Sequence, residues 1–220
     1  MQHPTSMIRI ALVAIVLATT ASVAAVTTNS FKLDGAEAFF EGELEHTAVH
    51  SEGSVRVGAA TERTELPNVP LAYSVAHRGD TTFIGTGTSG AVYRVEGKVS
   101  RKFADTGELL VSSLAFGRDG ALYAGTLPNG RIYRIDPKSG TTKRSAQPEG
   151  ATHVWALLYD KGRGKLLAAT GPEGTIYSVD SNGQAKPLYR AAGSHVMSLA
   201  SDGRGAILAG TSDSALLLRI

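Results

Sequence analysis

Two histidines stand where their side chains could do chemistry. His153 and His195 are each followed by valine and each opens an apolar run, HVWALLY and HVMSLAS. Two imidazoles presented side by side by such similar segments could hold a metal ion or pair with a ligand carboxylate. No acidic residue shares their register, and Leu110 takes the corresponding place in the preceding run, so a packing role competes with a ligating one. Trp155, the only tryptophan, lies in the first of these runs and reads as a core residue first, a stacking platform for a sugar second. Ser89, Asn129, Glu173 and Ser214 recur at one place in short polar turns, with Asp213 beside the last. Polar residues that vary on a repeated frame suit ligand recognition, and they equally suit the making of turns.

Other patterns carry less. Residues 85–90, GTGTSG, satisfy the glycine spacing of a phosphate cradle, but that chemistry needs a helix after the loop and the strand-like AVYRV follows instead. Arg78-Gly79-Asp80 spells a tripeptide that adhesion receptors read; Arg118-Asp119-Gly120 does the same turn-forming job in the next segment, so a turn is the preferred reading. There is no H-E-x-x-H, no nucleotide or calcium loop, and no nucleophile with a base at suitable spacing. No catalytic residue, metal ligand set or cofactor is therefore assigned. The absence of cysteine excludes disulfides and thiolate metal sites. With 22 basic residues scattered against 20 acidic ones, nucleic acid is not an expected partner.

The elements that must position these residues come from a repeat. Thr86, Thr126, Thr170 and Thr211 are spaced by 40, 44 and 41 residues, and Gly90, Gly130, Gly174 and Ala215 follow four places after each. Next come AVYRV, RIYRI, TIYSV and LLLRI, with Tyr93, Tyr133, Tyr177 and Leu218 in register. Upstream lie apolar runs closed by turns carrying Gly79, Gly120, Gly164 or Gly205. Strand, turn, strand, turn within a period of 40 to 45 predicts an all-β fold, a β-propeller with about four blades visible, as an incomplete ring or part of a larger propeller. The blades fall at about 71–103, 110–146, 153–190 and 195–220, within a region 67–220. Their first strands should line the centre with both faces covered; the polar fourth strands, one interrupted by Pro187, suit an outer edge.

The N-terminal stretch is different material. After Arg9 an apolar run covers residues 10–26, with small residues at Ser22, Ala24 and Ala25. Residues 1–25 thus read as a secretory signal peptide cut near Ala24 or Ala25, with an uncleaved anchor as the competing reading and the only membrane contact expected. Residues 26–66 read as N-terminal strands, a candidate degenerate half blade, and the acidic cluster Glu37, Glu41, Glu43 and Glu45 as a solvated face.

The phrase of apolar strand, D-G or R-G turn, L-Y-A-G-T and G-x-I-Y-R-I-D resembles bacterial secreted propeller repeats of the WD40-like, NHL-like and SMP-30-like groups over residues 71–220. The Gly-His and Trp-Asp pairs of true WD40 repeats are missing. The resemblance implies an exported protein, periplasmic, secreted or at the cell surface. The expected function is non-catalytic binding of a protein, peptide or glycan on the loop rim. The alternative is a metal-assisted lactonase or lyase with a channel site using His153 and His195.

Overall fold

A computed structural model describes residues 44–52, 54–59, 61–213 and 215–220. The signal peptide reading, and Glu37, Glu41 and Glu43, lie outside the described residues. Two compact units divide the chain, Met1–Thr61 and Glu62–Ile220. In the first, β1 (Thr47–Val49) pairs antiparallel with β2 (Val55–Val57), and Glu45 is exposed.

The second unit is a β-propeller. Blade I consists of β3 (Ala72–Arg78), β4 (Thr81–Thr86), β5 (Ala91–Glu96) and β6 (Val99–Asp105). Blade II has β7 (Leu110–Phe116), β8 (Leu122–Leu127), β9 (Ile132–Ile135) and β10 (Thr142–Ala146). In blade III are β11 (His153–Asp160), β12 (Lys165–Gly171), β13 (Thr175–Val179) and β14 (Ala185–Arg190). Blade IV shows β15 (Val196–Ser201), β16 (Ile207–Thr211) and β17 (Leu217–Arg219). Every sheet is an antiparallel meander in chain order. Aspartates shape the tight turns by accepting backbone N–H bonds two to four residues on: Asp119 from Ala121, Asp136 from Lys138 and Ser139, Asp160 from Gly162, Asp202 from Arg204 and Ala206.

The repeated residues each have a task. The hydroxyls of Thr86, Thr126, Thr170 and Thr211 donate to the carbonyls of Ala91, Arg131, Thr175 and Leu216 at 2.9, 2.9, 2.7 and 3.4 Å, closing the loop between second and third strands. Gly130 follows in a left-handed conformation, φ 59°. A Cβ there would strike the carbonyl of Ala151, which belongs to the lead-in of the next blade. Blade IV has Ala215 in the same conformation, φ 48°. The tyrosines of the third strands hook each blade to its own lead-in: Tyr93 donates to the Pro67 carbonyl at 3.2 Å, Tyr133 to Glu108 Oε1 at 2.9 Å and Tyr177 to the Glu149 carbonyl at 2.6 Å.

Blades stack face to face, and the apolar core is the set of seams between them. Phe83, Val92, Val111 and Leu122 fill the seam between blades I and II; Ile132, Val154, Leu157 and Tyr177 that between II and III; Ala169, Ile176, Val196 and Ala209 that between III and IV. At each inner edge a valine from one blade is set against a small pair in the preceding one. Val111 meets Gly85, which faces Ser74, and Val154 meets Gly125, which faces Ser113. In blade III the pair is Ala156 and Ala169, clustered with Val196. Polar bonds cross the same seams: Ser74 Oγ donates to the Val111 carbonyl at 2.9 Å, and Ser112 Oγ to the carbonyl of Val154.

The expectation that all first strands have both faces covered holds for β7 and β11, which lie between blades. It fails for β3 and β15, where Tyr73, Val75 and Met197 are exposed. Among the described residues these two strands have a packed blade on one side, and burial on the second side is what makes an inner strand apolar throughout.

The seam generates a steric prediction. A Cβ on Gly125 would lie 2.5 Å from Val154 Cγ1. Gly125→Val is therefore expected to cost about 3 kcal/mol or more in chemical denaturation. Gly97→Asn, at a hairpin turn with open space around it, is expected to stay within about 0.5 kcal/mol because asparagine tolerates the left-handed region.

Candidate functional site

A meander of this kind has two rims. One carries the starts of the first strands, the lead-ins and the loops between second and third strands; the other carries the turns between first and second and between third and fourth. The residues singled out from the sequence belong to the first rim.

A repeated irregularity shapes this rim. The register between first and second strands slips at Tyr73 in blade I, Ser112 in blade II, Trp155 in blade III and Met197 in blade IV. Each slip is a one-residue bulge, which re-aims a side chain that regular alternation would have placed elsewhere. In blade III the re-aimed residue is Trp155, half-buried, its ring stacked on His153 with centroids 5.0 Å apart and planes 3° from parallel. His195 stands edge-on to both, its ring centroid 5.7 Å from each. Trp155 Nε1 donates to His195 Nδ1 at 3.0 Å. Indole nitrogen only donates, so His195 Nδ1 accepts and the neutral ring carries its proton on Nε2. The approach depends on Gly171: any Cβ there would overlap the His195 ring. Thr152 Oγ1 meets His153 Nδ1 at 2.7 Å.

Asp213 sits in the blade IV loop on this rim with φ 66°. It accepts hydrogen bonds from the backbone N–H and the hydroxyl of Ser194, the neighbour of His195. Those bonds hold its carboxyl below the ordinary value.

The other rim residues serve their own blades. Ser89 Oγ lies 3.4 Å from Thr86 Oγ1. Glu173 pairs with Arg190 at 3.1 Å on the exposed flank of blade III. Ser214 lies outside the described residues. Asn129 is drawn into a cluster centred on Glu108, a residue that sequence reasoning passed over. Glu108 is 6% exposed. Its carboxylate accepts from Asn129 Nδ2 at 2.8 Å, Arg131 Nη1 at 2.8 Å and Tyr133 OH at 2.9 Å. Burial pushes this carboxyl up, but the three hydrogen bonds and the Arg131 charge together outweigh it and leave Glu108 below its ordinary value. The structure thus gathers His153, Trp155 and His195, with Asp213 held by Ser194 next to His195, and leaves Ser89, Asn129 and Glu173 in separate local contacts. Among the described residues no group of three or more His, Asp or Glu side chains is placed to hold a metal ion.

Comparison with known proteins places the fold. No protein-family model matches the chain, and no curated protein matches it. Among solved structures it is similar to the extracellular domain of the BT4673 hybrid two-component system from B. thetaiotaomicron, with TM-score 0.54 and 24% identity over 71% of this chain and 23% of that one. It is also similar to virginiamycin B lyase from Staphylococcus aureus, with TM-score 0.56 and 11% identity over 79% of this chain and 61% of that one. The nidogen/laminin complex gives TM-score 0.60 and 10% identity over 68% and 60%. The chain therefore spans about a quarter of the first of these domains. At these identities the likeness establishes the β-propeller fold, shared by the extracellular domain of a two-component system and a lyase.

Two outcomes follow for stability. His153 is held below its ordinary value by burial. A histidine whose folded value is depressed leaves the unfolded chain binding more protons at mildly acid pH. Stability is then lost as pH falls below about 6.5 and is unaffected by this group above it. Thermal melts should drop between pH 7.5 and 5.5, and His153→Gln should shrink that drop. Glu108 adds to the loss on acidification in a lower pH window: its stabilisation is present above the unfolded value of about 4.3 and is lost as pH falls through the folded one. Glu108→Ala, which strands three donors, should cost about 3 kcal/mol in urea unfolding at pH 7.

Proposed function

We propose that this chain is an exported, non-catalytic propeller domain, of the WD40-like, NHL-like and SMP-30-like kind of secreted repeat, which binds a protein, peptide or glycan on the rim that carries His153, Trp155 and His195. The observation that carries this reading is the stacked His153–Trp155 pair with His195 set edge-on and hydrogen-bonded to the indole. Its partners fix the orientation of the tryptophan while leaving part of the ring open to solvent, and a rigid, half-exposed aromatic face suits the apolar face of a sugar or a flat peptide side chain. Asp213 beside His195 supplies an acceptor for a donor on such a ligand. Export is supported by the apolar N-terminal stretch and by the likeness to the extracellular domain of a two-component system.

Because Trp155 is the only tryptophan, its fluorescence reports directly on this site. Glycan and peptide arrays should yield a ligand whose titration shifts that emission, with affinity lowered about tenfold or more by His195→Ala and by Gly171→Ala, which displaces the imidazole. A ligand that binds with full affinity to Trp155→Ala would overturn the assignment of the site. Metal analysis guards the other side: stoichiometric metal retained by the purified protein and lost in His153→Ala would replace binding by metal-assisted hydrolysis or elimination as the function.

A further inference from the structure

The opposite rim has a different character. At the end of the first strand or in the turn that follows it, each blade carries an exposed cation with no ion pair among the described residues: Arg78 in blade I, Arg118 in blade II, Lys161 in blade III and Arg204 in blade IV. A cleft of about 610 Å³ lies among the first three, lined by His77, Arg78, Phe116, Arg118, Tyr159 and Lys161, with no carboxylate in its wall. Through Arg118 and Tyr159 it runs on into a second cleft of about 450 Å³, which adds Tyr123, Asp119 and Asp180.

The nearby acids already have partners. Asp119 takes both Nε and Nη2 of Arg134, at 3.1 and 2.9 Å. Asp160 takes Arg163 Nη1 at 2.6 Å together with the N–H groups of Gly162 and Arg163. Asp180 caps its turn through Asn182 and Gln184. Asp80, in the turn with Arg78, lines neither cleft. Arg78 itself is fixed, its guanidinium 3.8 Å from the centre of the Phe116 ring and bonded to the Gly120 carbonyl at 2.9 Å. Among the described residues, Arg118 and Lys161 form no ion pair, so their charge is available to a ligand.

We propose that this rim binds an acidic polysaccharide, with successive carboxylate or sulfate groups meeting Arg78, Arg118 and Lys161 and the sugar faces lying on Tyr159 and Tyr123. The repeat of the protein is what favours a polymer: cations from three consecutive blades around one cleft suit a ligand that repeats its charge, as a stiff uronate chain does. The two tyrosines favour a glycan over a plain anion, since sugar C–H faces pack on aromatic rings. The site is separate from the one around Trp155, on the other end of the strands.

Titration calorimetry with oligogalacturonate in about 50 mM salt tests this, with neutral galactan as the control. Binding should weaken about tenfold or more by about 300 mM salt, since exposed charge is screened over the shorter Debye length. The Arg118→Glu/Lys161→Glu variant should lose about tenfold or more while Trp155→Ala retains affinity. Should the charge-reversed protein melt lower than the parent, Arg118→Ala/Lys161→Ala gives the same reading with a smaller loss. The proposal is overturned by absence of binding to oligogalacturonate, by binding that the charge variants leave unchanged, or by polyglutamate of equal length binding as tightly, which would make the rim an acidic-peptide site.

Discussion

A blade of this propeller cannot cover its own faces. Each four-stranded sheet is apolar on both sides, and those sides leave water only when another sheet lies against them. The approach at the inner edge is limited by side-chain bulk, so one blade must present almost nothing where its neighbour presents a valine. Gly85 and Gly125, and Ala169 after them, supply that near-absence. The rest of the architecture follows from keeping these surfaces in register: threonine hydroxyls close the loops, tyrosine hydroxyls tie each blade to its own lead-in, and serines of the first strands bond across to the next blade. The core is consequently a series of layers, each built from consecutive segments of chain.

Against this frame the two rims diverge. The strand ends that hold His153, Trp155 and His195 present neutral aromatic and imidazole surface, fixed by a bulge and by the room left at Gly171. The turns at the far ends present guanidinium and ammonium groups around tyrosines. A meander makes this division easy. Residues on one rim are separated from those on the other by the length of a strand, so chemistry can change at one end without disturbing the other. The scaffold tolerates such change because its loops are closed by backbone and threonine contacts that do not depend on the variable side chains.

The all-β propeller class is legible in the sequence because threonine, glycine and tyrosine recur at fixed distances, and each recurrence marks a turn or hook that every blade needs. The bulge at Trp155 is not. First strands buried on both faces carry no alternation of polar and apolar residues, so a one-residue slip leaves the pattern unchanged. Only the packed sheet shows that Trp155, Tyr73 and Met197 occupy equivalent, re-aimed positions. Glu108 escapes for another reason. It is a single acid in a polar linker, and its partners Asn129, Arg131 and Tyr133 lie 21 to 25 residues downstream. Arg78 and Arg118 are visible in the sequence as turn residues. Their convergence on one cleft with Lys161 comes from the stacking of blades, which spacing alone does not convey.

The valine-on-glycine contact also bears on how such a chain can lengthen or shorten over generations. Val111 on Gly85, Val154 on Gly125 and Val196 against Ala169 are versions of one lock and key, and blades II and III each bring both halves, a key on the first strand and a lock between the first two. A duplicated segment of about one period would arrive already fitted to the copies on either side. Gene duplication could therefore add a module without inventing a new interface, leaving selection to act on the rims.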